Sequence, residues 1–220
     1  MHPTRFFAAA LVGLLAAHPS PHLDAQSDPE RTVAGGGTLP AGWRAQTDHG
    51  RPLGNAKIVA VGSGLELALG PAVILWRDQD LATGAYRVVA RFTQTRAPRH
   101  PEGYGLFIGG SHLTDAQNRY TYFLVRGDGT FLVKRRVAGD STAAVAAGWT
   151  ASDAVVKADS AGQATNELGI AVDGATVRFR VNGTEVFHAP SAELDVQGLV
   201  GYRVNHNLDV HIGALGVHKQ

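Results

Sequence analysis

The chain has 220 residues, of which 44% are hydrophobic and 18% are charged, and its formal net charge is +1. This composition is typical of a globular domain and excludes a disordered chain. The charge balance argues against a nucleic-acid-binding protein, which would carry a strong basic excess. The sequence has no cysteine, which excludes disulfides, thiolate metal sites and cysteine nucleophiles.

The N-terminal segment has the pattern of a secretory signal peptide. Arg5 precedes the uncharged apolar run 6–17, and small residues follow, so we expect cleavage near Ala25 or Gln26. The apolar run is shorter than the ~20 residues that a transmembrane helix needs. The sequence therefore predicts a signal peptide over 1–25, a linker or N-terminal arm over 26–42, and a periplasmic or extracellular protein without a transmembrane segment.

From Trp43 onward, short segments alternate between apolar and polar residues, and no helical period is sustained. Such alternation directs one set of side chains to a buried face of a β-sheet. The segment 119–126 is apolar on both faces, which predicts a central strand. We predict strands over 64–69, 84–95, 119–126, 176–182 and 207–213.

Three dipeptides predict tight hairpin turns, because Asp-Gly and Asn-Gly accept the positive φ that such turns require. They are Asp128-Gly129, Asp173-Gly174 and Asn182-Gly183. The last two make 166–188 a three-stranded antiparallel meander. Residues 139–163 lack this pattern, and we expect a loop there with one short strand at 154–157. Many short strands separated by turns predict an all-β sandwich or barrel over 43–220.

Four runs of the chain resemble the concanavalin A-like lectin/glucanase superfamily. The run 84–110 is similar to a strand–loop–strand of these domains, 119–138 to the hairpin that follows it, and 198–217 to their closing strands. The run 167–188 (ELGIAVDGATVRFRVNGTEVFH) resembles a segment common in laminin G-like and 3-keto-disaccharide hydrolase-type domains. The resemblance implies an antiparallel two-sheet jelly roll, with carbohydrate bound on the concave sheet face or nearby loops.

Glycosidases of this superfamily resemble one another in a cluster of acids on one strand, E-x-D-x-x-E. Retaining hydrolysis needs two carboxyl groups about 5 Å apart. The chain has no such cluster, and its best acid pair is Asp78 and Asp80, after Trp76. This pair is a candidate catalytic or metal site, but Ca²⁺ needs several further oxygen ligands. The alternative, which we favour, is a pair of solvent-facing carboxylates. We assign no catalytic residue and no required cofactor, and we leave Ca²⁺ open.

A second candidate constellation is His206, Asp209 and His211. Asp209 and His211 share a face if 207–213 is a strand, and His-x-Asp geometry can bind a metal or act as an acid–base pair. The sequence identifies no third ligand. A solvated strand face is the favoured alternative.

The loop 96–104 joins two predicted strands, and loops on a rigid sandwich concentrate binding groups. In this loop Tyr104 could stack on a sugar ring and Arg99 could pair with a carboxylate. The alternative is an ordinary surface loop. Trp149, in another loop, is the tryptophan most suited to sugar stacking. The candidate ligand-binding residues are Arg99, His100, Glu102, Tyr104 and Trp149.

Several cationic side chains alternate outward along the predicted strands. They form one basic face if their strands share a sheet, and arginine pairs well with carboxylate or sulfate, which would suit an acidic polysaccharide. Ordinary charged strand exteriors are the favoured alternative. The residues are Arg87, Arg91, Lys134, Arg136, Arg178, Arg180 and Arg203.

These observations support three functional hypotheses. The first is an exported, non-catalytic module that binds a polysaccharide or oligosaccharide. The second is a glycoside-cleaving enzyme resembling the 3-keto-disaccharide hydrolases, and the third is a protein-interaction domain at the cell surface. The missing acid cluster favours the first.

Overall fold

The computed structural model describes residues 28–219, so the predicted signal peptide lies outside the described residues. This part of the chain forms sixteen strands and three short 3-10 helices, at Asp48–Gly50, Leu53–Asn55 and Ser191–Glu193. No helix between residues 28 and 219 is long and apolar enough to cross a membrane. The strands are β1 (Arg44–Thr47), β2 (Ala56–Val61), β3 (Gly64–Leu69), β4 (Val73–Ala82), β5 (Tyr86–Gln94), β6 (Gly103–Ser111), β7 (Arg119–Arg126), β8 (Thr130–Ala138), β9 (Ser141–Ala144), β10 (Thr150–Ala151), β11 (Ala164–Val172), β12 (Thr176–Val181), β13 (Thr184–Pro190), β14 (Gly198–Val204), β15 (Asp209–Ile212) and β16 (Gly216–Lys219).

The strands form two antiparallel sheets, which we call the front and back sheets. The front sheet has the order β1-β4-β14-β6-β7-β8-β10, with β9 also paired to β8. The back sheet has the order β13-β12-β11-β5-β15-β3-β2, with β16 also paired to β5. The C-terminal strands β14 and β15 each insert between earlier strands, β14 between β4 and β6 and β15 between β5 and β3. The predicted two-sheet sandwich is confirmed.

Side chains from both sheets meet in one hydrophobic core. Along β5, Tyr86, Val88, Ala90 and Phe92 point inward and are at most 1% exposed. Phe179 of the back sheet reaches Phe123 of the front sheet, with 5.4 Å between ring centroids. Burying one such side chain contributes about 1.5–3 kcal/mol, so the alternating pattern is the main source of stability.

All three predicted hairpins are present. Asp128-Gly129 lies between β7 and β8, Asp173-Gly174 between β11 and β12, and Asn182-Gly183 between β12 and β13. Asn182 and Gly183 have φ values of 51° and 84°. Positive φ at both central residues is the requirement of a type I′ turn, which matches the twist of the flanking strands.

The strand predicted within 139–163 is in the wrong place. This segment contains β9 and β10, and residues 154–157 form no strand. The reason is that the side-chain amide of Asn166 on β11 forms hydrogen bonds with both backbone polar groups of Val156. Its Oδ1 accepts the Val156 N–H at 2.8 Å, and its Nδ2 donates to the Val156 carbonyl at 3.1 Å. One side-chain amide thus replaces a strand partner.

The described part of the predicted arm lies against the sandwich. Arg31 donates to the carbonyl oxygens of Leu69 and Leu208, at 2.8 and 3.0 Å, and its guanidinium holds the Asp209 carboxylate. Leu39 packs against the main core. Asn207 also donates to Asp28 and to the Pro29 carbonyl and accepts the Arg31 N–H. Several polar bonds and one apolar contact therefore fix the arm to the sandwich.

We expect Phe179→Ala to lower the free energy of unfolding by about 3–5 kcal/mol, because it leaves a cavity at the contact between the sheets. Urea denaturation followed by circular dichroism measures this change. Val156→Ala is the control, because Val156 is 50% exposed, and we expect it to change stability by less than about 0.5 kcal/mol. Equal effects of the two substitutions would contradict the assignment of the core.

Candidate functional site

The outer face of the front sheet carries a second hydrophobic cluster. Strand β7 directs Phe123 and Val125 into the main core and Tyr120, Tyr122 and Leu124 to the outer face. Both faces of β7 are therefore buried, as predicted for a central strand. The outer cluster consists of Ile74, Trp76, Phe107, Leu113, Tyr120, Tyr122, Leu124 and Leu132.

A groove runs over this cluster and has two ends of opposite charge. The basic end has a volume of about 290 Å³ and the acidic end about 400 Å³, and both are lined by Asp48, His49 and Asp140. Asp115 adds a further carboxylate to the acidic end. The basic end is lined, among others, by Tyr122, Arg126, Lys134, Arg136, Trp149, Arg203 and Asn205.

A buried ion network separates the two ends of the groove. Asp48 follows β1, and the pairing of β1 with β4 and of β4 with β14 brings it to Arg203. Arg203 donates through both terminal nitrogens to the Asp48 carboxylate, with one bond of 2.6 Å, and Arg136 donates to it at 3.0 Å. Only 7% of the Arg203 side chain and 6% of the Arg136 side chain are exposed.

The network controls the ionisation of Asp48. Burial raises the pKa of its carboxyl, but the charges of Arg203 and Arg136 outweigh that effect and lower the pKa from 3.8 to about 2. Asp48 is therefore a carboxylate at neutral pH, and it holds both guanidinium groups in fixed positions under the groove.

Trp149 and Arg126 form a stacked pair at the basic end. The Arg126 guanidinium carbon lies 3.7 Å from the centroid of the half-buried Trp149 ring, a favourable cation–π distance. One edge of the ring also approaches Gly103, where an added Cβ would be 2.6 Å from Trp149 Cη2. Burial lowers the pKa of Arg126 below its ordinary value, against the opposing charges of Asp128 and Glu102. The candidate residue Trp149 thus lines the groove.

Tyr104 does not lie in the loop, which corrects the expectation of a ring available for stacking. It is on β6, fully buried between the sheets, and its ring centroid is 5.8 Å from that of Phe92. Its hydroxyl lies 3.4 Å from Asn166 Nδ2. Strand β6 begins at Gly103, so the two-residue period directs Tyr104 into the core. No sugar ring can reach it in this structure.

The other three loop candidates lie at one end of the sandwich. Arg99 is exposed beside Arg31, and His100 Nε2 lies 4.0 Å from Asp28 of the arm. Glu102 is 9% exposed and accepts a hydrogen bond from Asn205 Nδ2 at 3.1 Å. Asn205 also lines the basic end, so Glu102 holds one wall residue of the groove in position. Arg99 and His100 lie away from Trp149.

Glu102 is also the partner of His206. His206 Nε2 lies 3.1 Å from Glu102 Oε1, and the interaction with this carboxylate raises the pKa of His206 above its ordinary value. Asp209 is held by Arg31 and Arg96, and His211 is exposed. Asp209 and His211 share the outer face of β15, as predicted, but His206 lies against Glu102 instead, so the three residues do not form one site.

Asp78 and Asp80 lie in a bulge rather than at a strand end. The pairing of β4 with β14 jumps from Trp76–Gly201 to Leu81–Leu199, so residues 77–80 form the bulge. Asp78 lies 3.1 Å from Arg44, and Asp80 is held by Arg77 at 2.7 and 3.0 Å. The two carboxylates thus have separate arginine partners. Within residues 28–219 no group of three or more histidines and acids is arranged to hold a metal.

The predicted basic face is divided between the two sheets. Arg87, Arg91, Arg178 and Arg180 lie on strands of the back sheet, whereas Lys134, Arg136 and Arg203 lie on strands of the front sheet. The expectation of a single basic face is wrong, because it required all these strands to share one sheet and they belong to two. Only the second set lines the groove.

Several groove residues are not among those that the sequence indicated as site residues, for example Asp48, Tyr122 and Arg126. Asp48 follows a short strand and has no motif around it, so no local signal indicated it. Tyr122 and Arg126 did have a signal, because they continue the outward alternation of the strand that is apolar on both faces.

No protein-family model and no curated protein matches the chain. Among solved structures, the carbohydrate binding module CBM66 from Bacillus subtilis matches with a TM-score of 0.57 at 9% identity, over 86% of this chain and 100% of that one. The exoplasmic/lumenal domain of VIP36, in a Ca²⁺/Man-bound form, matches with a TM-score of 0.54 at 9% identity, over 83% of this chain and 84% of that one.

A putative glycosyl hydrolase from Parabacteroides distasonis matches with a TM-score of 0.50 at 14% identity, over 80% of this chain and 100% of that one. At such identities the likeness concerns the fold. The chain has the concanavalin A-like, galectin-like β-sandwich fold, and the predicted fold is confirmed.

We expect Asp48→Asn to lower the free energy of unfolding by about 3 kcal/mol at pH 7, because it leaves two buried arginines without their carboxylate. The folded-state pKa of Asp48 is depressed to about 2. The stabilisation is therefore present above a pH of about 4 and is lost as the pH falls towards about 2. The difference in free energy of unfolding between the wild type and Asp48→Asn should therefore become smaller as the pH falls from about 4 to about 2.

Urea denaturation at a series of pH values measures this difference. Asp78→Asn is the matched control, since its ion pair with Arg44 is exposed, and exposed pairs contribute little. A difference between wild type and Asp48→Asn that is constant over the whole pH range would contradict the role given to Asp48.

Proposed function

We propose that this protein is an exported, non-catalytic carbohydrate-binding module, whose ligand lies in the groove on the outer face of the front sheet. One observation carries the proposal: Trp149 lines a groove whose other walls are hydrogen-bonding side chains, among them Lys134, Asn205 and Asp140. Sugar rings have apolar C–H faces, which pack on aromatic rings, and hydroxyl groups, which pair with such polar groups.

The construction of the groove supports binding by a preformed site. Tyr122, Lys134 and Arg203 are on strands of the front sheet rather than on loops. Residues on packed strands hold their geometry better than residues on loops. Asp48 fixes the two buried arginines, so little ordering is required when a ligand binds, and preorganisation of this kind favours affinity.

The carboxylates around the groove support a binding role rather than hydrolysis. Asp48 is bonded to two arginines, and Asp140 lies 2.7 Å from His49 and 3.5 Å from Arg136. A general acid for glycoside hydrolysis needs a raised pKa, whereas the pKa of Asp48 is lowered to about 2. We therefore propose that glycans are bound and left intact.

Two of the similar structures are consistent with this proposal. CBM66 is a carbohydrate binding module, and the VIP36 domain was solved in a Ca²⁺/Man-bound form. We propose that this chain shares the ability to bind carbohydrate, without a required metal. Titrations in the presence of Ca²⁺ and in the presence of EDTA test the metal requirement.

We expect the protein from about Gln26 onward to bind at least one glycan on an array of neutral and acidic oligosaccharides. Trp149→Ala should weaken that binding at least about tenfold, the usual effect of removing an aromatic anchor, as measured by calorimetric titration. Arg91→Ala is the control, because Arg91 is exposed on the back sheet. Chromatography of the mixtures should show no product.

Three outcomes would contradict the proposal in different ways. An array without any bound glycan would favour a protein-interaction role. Binding that Trp149→Ala leaves unchanged would place the site elsewhere. Cleavage of a bound glycan would make the protein an enzyme.

Export is proposed from the predicted signal peptide over 1–25. We expect the full-length protein, expressed in a bacterial host, to be recovered outside the cytoplasm with an N-terminus near Gln26. Mass spectrometry of the recovered protein measures this. A cytoplasmic protein that retains Arg5 would contradict it.

A further inference from the structure

We propose that the bound glycan is anionic and that its charged groups, uronic acid carboxylates or sulfate esters, are held by Arg126 and Lys134 at the basic end of the groove. This inference rests on the proposed function, because it specifies the ligand class of the same site. It does not require a metal ion or a covalent step.

The first support is the distribution of charge in the groove. The carboxylate of Asp48 is occupied by Arg203 and Arg136, and that of Asp140 lies against His49 and Arg136. Among the described residues, Arg126 and Lys134 form no ion pair with a carboxylate. The basic end thus contains four cationic side chains and two acids, and its excess positive charge resides on Arg126 and Lys134.

The second support is a pair of hydrogen-bond donors without acceptors. The Nε atoms of Arg126 and Arg203 are both buried, and neither has a hydrogen-bond partner among the described residues. Buried donors of this kind are rare, and each calls for a physical explanation. Carboxylate and sulfate oxygens accept several hydrogen bonds at once and match the planar guanidinium group. A neutral sugar hydroxyl also accepts hydrogen bonds, but it leaves the charge of the guanidinium groups uncompensated.

The third support is the geometry of the floor between the two cations. Arg126 and Lys134 are on the neighbouring strands β7 and β8, and between their positions lies the directly paired couple Leu124–Leu132. Both leucines belong to the outer cluster. The cations therefore flank an apolar floor, on which a sugar ring can lie with charged substituents of the glycan directed to both sides. Trp149 holds the Arg126 guanidinium in place by stacking.

The back sheet shows what an ordinary charged exterior looks like in this protein. Arg91 lies 3.7 Å from Glu167, and Arg178 lies 3.2 Å from both Asp173 and Glu185. These arginines are exposed or half-buried, and each has a carboxylate partner. Arg126 and Lys134 have no carboxylate partner among the described residues, and both are half-buried. Arg87 on the back sheet also forms no ion pair, but it is exposed to solvent, as expected of a charged strand exterior.

The test compares acidic glycans with their neutral parents. Calorimetric titration of the protein compares two sets of ligands. The carboxylate set consists of oligogalacturonate, oligoglucuronate and oligomannuronate, each beside its methyl ester. The sulfate set consists of sulfated galactan and chondroitin sulfate oligosaccharides, each beside its desulfated form. We expect at least one acidic ligand to bind about tenfold or more tightly than its uncharged or less charged partner. A carboxylate pair or a sulfate pair that shows this preference identifies the source of the charge.

Two variants connect the preference to the residues. Arg126→Gln and Lys134→Gln should each weaken binding of the acidic ligand about tenfold, and leave binding of its neutral partner within about twofold. Raising the salt concentration from about 0.05 to about 0.5 M should weaken the acidic ligand selectively in the wild type. Arg91→Gln is the control, with no expected effect. Circular dichroism verifies that each variant is folded.

The outcomes separate this inference from the proposed function. If acidic and neutral partners bind equally, or if only neutral glycans bind, the charge inference fails and the carbohydrate-binding role stands. The same holds if both glutamine variants weaken the two ligand forms to the same degree. If no glycan binds at all, the proposed function itself fails, and this inference fails with it.

Discussion

The two-residue period of the β-strand is the constraint on which this structure depends. Each central strand of the front sheet has one face in the main core and the other in the outer cluster, as Phe123 and Tyr122 show on β7. The same residues that hold the two sheets together therefore fix the position of the groove. A shift of one residue in register would exchange the two faces and destroy both.

The ion network under the groove illustrates how this frame accommodates buried charge. Arg203 and Arg136 project from strands whose neighbours are apolar, and their burial would be strongly unfavourable without a partner. Asp48 supplies that partner from outside the sheet, through the short β1–β4 pairing. Compared with an apolar core of similar shape, the network adds little to the free energy of unfolding. Its structural effect is to hold two guanidinium groups at fixed positions where a ligand can contact them.

The groove combines features that are separate elsewhere in the molecule. On the back sheet, Arg91, Arg178 and Arg180 are paired with acids, and the main core carries aromatic rings that no ligand can reach. Within residues 28–219, only the outer face of the front sheet places a half-buried tryptophan, an apolar floor and two cations without acidic partners side by side. An anionic glycan offers both an apolar ring face and a charged group, so its chemistry complements all three features.

The sequence by itself determined the strands, the hairpin turns and the sandwich, because period-two alternation and Asp-Gly or Asn-Gly turns are local properties. It also indicated Trp149, an aromatic residue in a segment without strand pattern. It misplaced Tyr104, since one residue of uncertainty in where β6 begins reverses the direction of the side chain.

Only the tertiary structure decided which charges meet. Asp48 and Arg203 are 155 residues apart in the chain, and the division of the arginines between the two sheets follows from a strand order that inserts β14 and β15 among earlier strands. Charge pairing in this protein is a long-range consequence of that topology, and no local pattern in the sequence encodes it.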